Sequence, residues 1–348
     1  MISPTNQQTP YRRLYRELHD AIVEKKLTGK LPSIATLAAQ YQVNHNTVKK
    51  ALAQLKEYRF IYGEQGKGCF VNPDCEVNIL AQKFVTLYVH ASLLLNPFYM
   101  QLIYALRTLL EVERCNVNLV NTQSQVKAFA GQTDVLVLFE QFQPDELARV
   151  LELIGPNQLV ACNCLGPTGC RQVRTDNIAG GELAMQHLYG QGCRNIGVLG
   201  IGDIDDERSH FFLRRCGVRR FAEAHPEVKI SEVTIPVEQL TEPISQYWIE
   251  DLYEKAGKPD AVFAFMDLLV FGIYRFMAER GVRFAVLGHD DRDFAVQLFP
   301  AMSSIREDVE QVAAATCRLI RDAIGQENPG RALLIPPRII TRASSKIL

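Results

Sequence analysis

The segment from residue 31 to residue 71 constrains the fold more than any other part of the chain. Ser33 is a suitable N-cap for a short helix that runs to Tyr41, because its hydroxyl can accept an unsatisfied backbone N–H. Gln42 and Val43 then provide a turn, and Asn44 can cap a second helix. Apolar residues recur in that helix at the spacing of one buried face, at Val48, Ala51, Leu52 and Leu55. The segment is therefore predicted to form a helix-turn-helix.

A glycine-rich hairpin is predicted to follow these helices. Two β-prone runs, residues 60–62 and 69–71, flank a loop whose tip is Gly66-Lys67-Gly68, and glycine lets such a tip approach another molecule closely. Polar and basic residues lie off the buried face of the second helix, mostly in its first turns, where a recognition helix enters the major groove of DNA. The candidate DNA contacts are Ser33, Asn44, His45, Asn46, Thr47, Lys49, Lys50, Gly66, Lys67 and Gly68.

The order of these pieces resembles the winged helix of the GntR family of bacterial repressors. The matching motifs are LPS at 31–33, LA at 37–38, V-x-x-x-TV-x-x-AL-x-x-L at 43–55 and G-x-G-x-FV at 66–71. Each piece alone also fits an ordinary helical hairpin with a solvated charged face, but the ordered combination favours the family. Five positions depart from its pattern: Asn44-His45 replaces Ser-Arg, Ile34-Ala35 replaces Glu-Arg, and Lys49 replaces an arginine. The resemblance implies DNA binding by residues 1–71 without transferring the family's usual operator sequence.

Charge and composition agree with a small basic domain on a larger acidic one. The first 75 residues hold 11 Lys and Arg against 6 Asp and Glu, whereas the remaining residues hold 27 against 33. A length of 348 residues with 47% apolar content suits two or three domains. The sequence contains no run of about 18 apolar residues, and its polar start lacks the apolar core of a signal peptide. A cytoplasmic protein is therefore expected.

Nine cysteines, an odd count, indicate reduced thiols rather than a disulfide framework. Cys162, Cys164 and Cys170 are close in sequence, but their C-x-C-x5-C spacing is not a zinc-finger pattern and no fourth ligand lies nearby. Residues 158–163 also read as a buried strand, in which cysteine behaves as a small apolar residue. The sequence therefore predicts no metal site.

Beyond a predicted linker at residues 72–83, short apolar runs alternate with amphipathic helices. Strands are predicted at 84–89, 117–120, 134–139, 158–162, 195–199, 261–265 and 284–287. Helices are predicted near 98–113, 144–154, 178–190, 212–224, 267–280 and 307–324. This alternation predicts an α/β fold whose parallel sheets are covered on both faces. Ligands bind such sheets outside the carboxyl ends of the strands.

Residues 84–348 resemble the two-lobed effector domain of LacI-type repressors, which is related to periplasmic sugar-binding proteins. The matching phrases include TDVLVL at 133–138, VRTDNIAGGELAMQHLYGQGCRNIGVLG at 173–200, PDAVFAFMDLLVFG at 259–272 and VLGHDD at 286–291. The resemblance implies that lobe one comprises residues 84–175 and 305–330, and that lobe two comprises residues 176–304 and 331–348. The chain would then cross between the lobes three times.

The resemblance also implies an effector site between the two lobes. Arg214 occupies the position of an arginine that contacts the sugar, and Asp290 that of a carboxylate that accepts hydrogen bonds from sugar hydroxyl groups. Met266 and His289 replace the family's usual asparagine and aromatic residue. Arg214 as a surface charge and Asp176 as a helix cap remain alternative interpretations. The other implied binding residues are Asn96, Phe98, Tyr99, Asp176 and Asp267.

Together the two resemblances predict a transcriptional repressor without catalytic residues or a cofactor. It would bind double-stranded operator DNA as a homodimer and respond to a small molecule, a sugar or a sugar derivative. The alternative is a winged-helix regulator fused to an enzyme-like domain with a pyridoxal-type cofactor. The sequence shows no P-loop, no nucleophile elbow and no recognisable Schiff-base lysine site, which disfavours that alternative. A transport binding protein is disfavoured by the winged helix.

Overall fold

The computed structural model describes residues 10–23, 26–57, 60–64, 66–72, 79–90, 93–139, 144–202, 209–240 and 244–346. An amino-terminal winged helix precedes two α/β lobes. The winged helix contains helices α1 (Pro10–Val23), α2 (Ile34–Gln40) and α3 (His45–Glu57), followed by strands β1 (Ile61–Glu64) and β2 (Gly68–Val71). The two strands pair antiparallel and form the wing. The predicted helix-turn-helix and wing are both confirmed.

Side-chain caps start the two helices of the helix-turn-helix, as the sequence predicts. The Ser33 hydroxyl accepts a hydrogen bond from the amide of Thr36 at 3.1 Å, and the Asn44 carbonyl oxygen Oδ1 accepts one from the amide of Thr47 at 2.8 Å. The predicted apolar stripe of α3 is buried against α1, α2 and the wing. Gly66 and Gly68 adopt left-handed conformations, with φ of +76° and +112°, which explains glycine at the wing tip.

Lobe one is built on a six-stranded sheet whose strand order is β13-β7-β6-β5-β3-β4. All neighbouring strands in this sheet run parallel. Helices α4 and α11 pack together on one side of the sheet. The elements of lobe one are β3 (Phe84–Tyr88), α4 (Pro97–Val112), β4 (Asn116–Val120), α5 (Gln123–Phe129), β5 (Val135–Leu138), α6 (Pro144–Leu153), β6 (Leu159–Cys162), β7 (Arg171–Thr175), α11 (Val309–Ile324) and β13 (Ala332–Ile335).

Lobe two repeats this plan with the strand order β14-β12-β11-β10-β8-β9. Its strands are parallel except β14, which pairs antiparallel with β12 at one edge. The predicted fold class, a winged helix joined to two lobes with parallel sheets, is confirmed. The elements of lobe two are α7 (Asn177–Gly190), β8 (Asn195–Ile201), α8 (His210–Ala224), β9 (Lys229–Ile235), α9 (Ile244–Ala256), β10 (Ala261–Ala264), α10 (Val270–Arg280), β11 (Ala285–His289), β12 (Ser303–Arg306) and β14 (Arg338–Ile340).

The chain crosses between the lobes three times, but two of the expected boundaries need correction. Residues 305 and 306 were expected in lobe one, yet they belong to β12, which pairs with β11 of lobe two. Residues 331–335 were expected in lobe two, yet β13 pairs in register with β7 of lobe one. Edge strands such as β13 and β14 are short and half exposed, so their hydrophobic pattern does not reveal which sheet they join.

The end of the predicted linker is packed rather than exposed. Leu80 lies fully buried in the apolar core of lobe one, and the neighbouring Ala81 is buried in the core of the winged helix. The predicted linker residues 73–78 lie outside the described part of the chain. Among the helices that the structure describes, none combines the length and apolar character needed to cross a membrane.

Candidate functional site

The exposed face of α3 carries the side chains that were expected to read DNA. His45, Asn46, Lys49 and Lys50 are exposed, while Thr47 is half-buried. Asn44 and Ser33 are also exposed, but each oxygen already caps a helix and so has a structural role as well. Because these groups lie opposite the buried stripe of α3, the helix can enter a groove without disturbing its own core.

Two further lysines, which the sequence analysis did not single out, lie against the wing. A Cβ atom at Gly63 would lie only 2.9 Å from the Lys56 ammonium, and one at Gly68 would lie 3.4 Å from Cε of Lys30. Both lysines are exposed. Lys67, at the wing tip, is held by Glu64 at 2.9 Å. Lys30 and Lys56 lie near the wing because the fold packs the wing against α3 and against residue 30. Their spacing in the sequence does not predict this position.

A cleft of about 700 Å³ separates the two lobes and is lined by both. Lobe one contributes Pro97, Phe98 and Gln101 from α4, together with Val309 and Glu310 at the start of α11. The remaining wall comes from lobe two and from the crossing that follows it, at Leu268, Asp290, Asp291, Arg292, Asp293, Phe294, Gln297, Arg306 and Glu307. Both lobes approach the cleft with the carboxyl ends of their strands, the position expected for a ligand site in such sheets.

Carboxylates outnumber cations on this wall. Asp291 is already bound by two arginines, at 2.6 Å from Arg306 Nε and 2.6 Å from Arg342 Nη1. The Arg292 Nε lies 3.6 Å from Asp290, and its Nη2 reaches Asn96 of lobe one at 3.5 Å. Both arginines of the described wall therefore already face a carboxylate, whereas the cleft offers several carboxylate and amide oxygens as acceptors.

Arg214 lies beneath the cleft, and all three nitrogens of its guanidinium donate hydrogen bonds. Its Nε donates to Asn177 Oδ1 at 2.8 Å, its Nη1 to the Phe265 carbonyl at 2.5 Å, and its Nη2 to Glu307 Oε1 at 2.8 Å. Arg214 is only 2% exposed, which rules out the surface-charge interpretation. The network joins lobe two to Glu307, which lies between β12 and α11, where the chain crosses between the lobes for the second time. The sequence analysis missed Glu307, although this residue directly follows a strand.

The close packing of α7 and α8 places Arg214 at this point. A Cβ atom on Gly181 would lie 2.1 Å from the carbonyl oxygen of Arg214, and one on Gly217 would lie 2.1 Å from that of Ile178. Only glycine permits this approach at either position. The arginine-x-x-glycine spacing from Arg214 to Gly217 therefore has a packing reason, because Gly217 allows the helix that carries Arg214 to touch α7.

The buried carboxyl group of Asp267 lies near the partly buried carboxyl group of Asp290 in lobe two. Burial, followed by the negative charge of Asp290, raises the pKa of Asp267 well above its usual value. Asp267 accepts hydrogen bonds from the Ser304 hydroxyl and from the Arg292 amide, both at 2.8 Å. Burial likewise raises the pKa of Asp290, although the charges of Arg214 and Arg292 oppose that effect. Asp290 also has φ of +117°, a strained conformation typical of functional positions.

The seven effector residues implied by the sequence occupy four kinds of position. Phe98 and Asp290 line the cleft, while Arg214 and Asp267 lie buried just behind the wall. Asn96 caps α4 and contacts Arg292 across the lobes. The structure places the other two away from the described cleft wall, with Tyr99 in the core of lobe one and Asp176 as the N-cap of α7.

In the described part of the chain, two of three clustered residues that could hold a metal ion already face an arginine. His289, Asp290 and Glu307 bring ligand-type atoms within 4.8 Å of one another, but the Arg214 guanidinium bonds to Glu307 and lies 3.9 Å from Asp290. A side-chain cation thus supplies the positive charge at this point. The thiols of Cys162 and Cys164 are fully buried, and burial raises the pKa of Cys162 to about 12, so that thiol stays protonated.

Comparison with known proteins agrees with the two-domain division. Residues 10–71 match the sequence profile described as bacterial regulatory proteins, gntR family, and residues 185–345 match that of the periplasmic binding protein-like domain. The arabinose metabolism transcriptional repressor of Geobacillus stearothermophilus is 22% identical over 370 residues, which cover 97% of each chain.

Solved structures show the same fold in the two lobes. A LacI family transcriptional regulator from Enterococcus faecium, with bound ribose, superposes with a TM-score of 0.61 at 20% identity, covering 76% of this chain and all of that one. The transcriptional regulator CelR in complex with cellobiose superposes with a TM-score of 0.61 at 22% identity, covering 90% of this chain and all of that one.

These features define a class of protein: the chain carries the DNA-binding domain of gntR-type bacterial regulatory proteins, and the relatives that it matches are transcriptional regulators rather than enzymes. More particularly, it joins a gntR-type DNA-binding domain to a periplasmic-binding-protein-like domain of the kind found in LacI-type regulators. The pyridoxal-enzyme alternative is therefore set aside.

Proposed function

We propose that the chain is a sequence-specific repressor whose affinity for operator DNA is controlled by a sugar or sugar derivative bound between its lobes. The observation that carries this proposal is the cleft of about 700 Å³ walled by both lobes, because a ligand there contacts two bodies whose relative position can change. Relatives of both domain types, an arabinose metabolism repressor and regulators with bound ribose or cellobiose, support it.

The chemistry of the cleft suits a neutral polyhydroxyl ligand. Phe98 offers an aromatic face against which the apolar side of a sugar ring can pack, and Gln101 and Asp290 offer hydrogen-bonding groups from opposite lobes. Because Arg292 and Arg306 already face carboxylates, a phosphate group would meet a wall with excess negative charge. We therefore assign the effector to uncharged sugars rather than to sugar phosphates.

The proposed control of DNA binding follows from closure of the lobes. A ligand shifts an equilibrium only by its different affinity for the two states, and a ligand that bridges both lobes favours the closed one. In a homodimer on a near-palindromic operator, closure changes the distance between the two winged helices. Coupling of about 1–3 kcal/mol is typical of such linkage, and reciprocity requires operator DNA to weaken the binding of an inducer by the same factor.

The DNA-reading surface is proposed to comprise the exposed face of α3 and the wing, with Lys30 and Lys56 added to the residues predicted from the sequence. Lysines at such a surface contact phosphate groups, while His45 and Asn46 at the start of α3 can reach the edges of bases. The effector site is proposed to comprise Phe98, Gln101, Asp290 and Arg292, with Arg214 and Glu307 supporting the floor.

A paired experiment tests the proposal. Fragments of genomic DNA selected on the immobilised protein would define an operator, and a thermal-shift screen of neutral sugars and their phosphates would define the effector, since a bound ligand stabilises the protein. We expect a neutral sugar to raise the melting temperature and to change operator affinity at least about fivefold. Stabilisation by sugar phosphates alone would contradict the assignment of the effector, and failure to enrich any DNA sequence would contradict the assignment as a repressor.

A further inference from the structure

The winged helix contacts lobe one through two ion pairs on one face of α1. The Arg16 Nη2 donates to Asp134 Oδ2 at 3.0 Å, and the Lys83 ammonium donates to Asp20 Oδ1 at 3.2 Å. Arg16 and Asp20 are four residues apart, so they project from the same side of the helix. On α1 the first charge is positive and the second negative, whereas the facing charges on lobe one have the opposite signs. Because a reversed α1 would bring like charges together, this arrangement favours one orientation of docking.

The lobe-one partners are themselves anchored in the sheet. The Asp134 carboxylate also accepts a hydrogen bond from the amide of Phe84, the first residue of β3, at 2.8 Å. The carbonyl of Lys83 accepts one from the amide of Asn116, the first residue of β4, at 2.8 Å. Lys83 and Asp134 directly precede the adjacent strands β3 and β5. The contact with α1 therefore falls on the amino edge of the sheet, opposite the edge that faces the cleft.

Apolar and polar contacts of the preceding segment reinforce the two ion pairs. Leu80 enters the core of lobe one and Ala81 that of the winged helix, so adjacent residues are buried in two domains. The Gln54 side chain of α3 donates to Gln82 Oε1 at 3.2 Å. Lys83 and Asp134 are 13% and 17% exposed, so these ion pairs are less screened by solvent than a pair on an open surface.

We propose that these contacts form an interdomain latch, defined as Arg16–Asp134 and Asp20–Lys83, that holds the winged helix on lobe one as a single rigid unit. Movement of lobe one then carries the recognition helix with it. The strand β3 starts beside the latch, and its carboxyl end lies at the edge of the sheet that faces the cleft. The consequence for DNA rests on the proposed function, but the latch itself can be tested without DNA.

Zero-length cross-linking tests the latch in the native protein. A water-soluble carbodiimide activates a carboxylate, and an amine in contact then forms an amide while the carbodiimide leaves as a urea with the water removed. We expect mass spectrometry to find an Asp20–Lys83 amide in a yield similar to that of the Glu64–Lys67 pair, which lies within the wing at 2.9 Å. Formation of the wing cross-link without the Asp20–Lys83 cross-link would overturn the proposal.

The two ion pairs should also depend on each other. Arg16→Gln should lower the yield of the Asp20–Lys83 amide at least about threefold, because loss of one pair loosens the other. Arg13→Gln is the matched control, since Arg13 is on the same helix but pairs only with Glu17, at 3.7 Å, among the described contacts. Equal yields in these two folded variants, verified by their melting curves, would show that α1 is not held by a cooperative latch.

A second measurement separates the latch from DNA recognition. The Arg16→Gln/Lys83→Gln variant would be compared with the control Arg13→Gln/Lys127→Gln, in which Lys127 is an exposed residue of α5 in lobe one. Both proteins would be tested on one half-site and on operators whose half-sites are moved apart by one or two base pairs. If the latch sets the spacing, the two proteins should bind a single half-site with equal affinity. When the half-sites are moved apart, the latch variant should lose at least about threefold less affinity than the control. Equal losses would overturn the role of the latch in setting the spacing. Absence of DNA binding in both proteins would count against the proposed function, and the cross-linking result would still decide the latch.

Discussion

Arg214 and Glu307 form a buried ion pair at the hinge between the lobes, with 2.8 Å between Nη2 and Oε1. The second carboxylate oxygen of Glu307 accepts a hydrogen bond from the Thr175 hydroxyl at 2.8 Å. Thr175 ends the last strand before the first crossing, and Glu307 belongs to the second crossing. One carboxylate therefore ties lobe two to both crossings, and a ligand that reaches the floor of the cleft must compete with it for Arg214.

Replacing Glu307 should destabilise the protein and weaken its response to effector. Glu307→Gln leaves Asp290, 3.9 Å away, as the nearest counter-charge of the buried Arg214 guanidinium. The loss in the free energy of unfolding should therefore approach the roughly 3 kcal/mol that breaking a buried ion pair typically costs. Glu310→Gln is the control, because Glu310 lies on the same cleft wall but is exposed. Urea denaturation of both variants measures the difference. Equal stability of the two would show that the buried ion pair contributes nothing to the fold.

Removing the aromatic ring of Phe98 should weaken effector binding without unfolding the protein. Phe98 lines the cleft and is half-buried, so Phe98→Ala should lower the affinity for the sugar by about 10- to 100-fold through lost ring contact. Tyr104→Ala on the same helix is the control, because Tyr104 is 74% exposed and is not among the residues that line the cleft. Calorimetric titration with the sugar found by thermal shift measures both. An unchanged affinity for Phe98→Ala would place the ligand elsewhere.

Neutralising Glu64 should tighten DNA binding. The Lys67 ammonium is held by Glu64 within the wing at 2.9 Å, so Glu64→Gln frees a cation for a phosphate and removes a negative charge from the DNA-facing side. We expect an increase in operator affinity of about two- to fivefold and a steeper dependence on salt. Glu111→Gln on lobe one, which removes an exposed charge far along the chain, serves as the control in fluorescence anisotropy. Weaker binding by Glu64→Gln would mean that Glu64 orders the wing for DNA.

The stability of the protein should depend on pH through Asp267. Its pKa is raised in the folded state by burial and by Asp290, so the folded state holds a proton over a range in which the unfolded chain has lost it. The free energy of unfolding must then fall as the pH rises above the ordinary aspartate value. Asp267→Asn removes this titration, so the stability of the wild type relative to the variant should decrease from about pH 4 upward. Urea denaturation at several pH values measures the free energy of unfolding of both proteins. A difference between them that stays constant across that pH range would contradict the prediction.

Local patterns in the sequence predicted the winged helix and the parallel sheets because each depends on neighbours along the chain. The caps at Ser33 and Asn44 and the stripe of α3 are examples, and the structure contains them as expected. The positions that escaped prediction depend on contacts between distant residues. Glu307 meets Arg214 across 93 residues, and Arg16 meets Asp134 across 118.

The site predictions show the same limit. Asn96, Phe98 and Tyr99 adjoin one another in sequence, yet one caps a helix, one faces the cleft and one enters the core. Helix geometry turns successive side chains by about 100°, so proximity to a site in sequence does not give orientation toward it. The resemblance pointed to the start of α4, and only the packing of α4 on the sheet decides which of these side chains faces the cleft.

The path of the chain through the two sheets has a consequence for synthesis on the ribosome. The apolar core of the winged helix lies within residues 14–81, whereas lobe one lacks β13 and lobe two lacks β14 until residues 332–340 have been made. Domains fold as units from the amino terminus during translation. A nascent chain that stalls after residue 250 therefore carries a complete winged helix but neither complete lobe. If the proposed function holds, we expect such a truncated product to keep a DNA-binding domain that no effector controls.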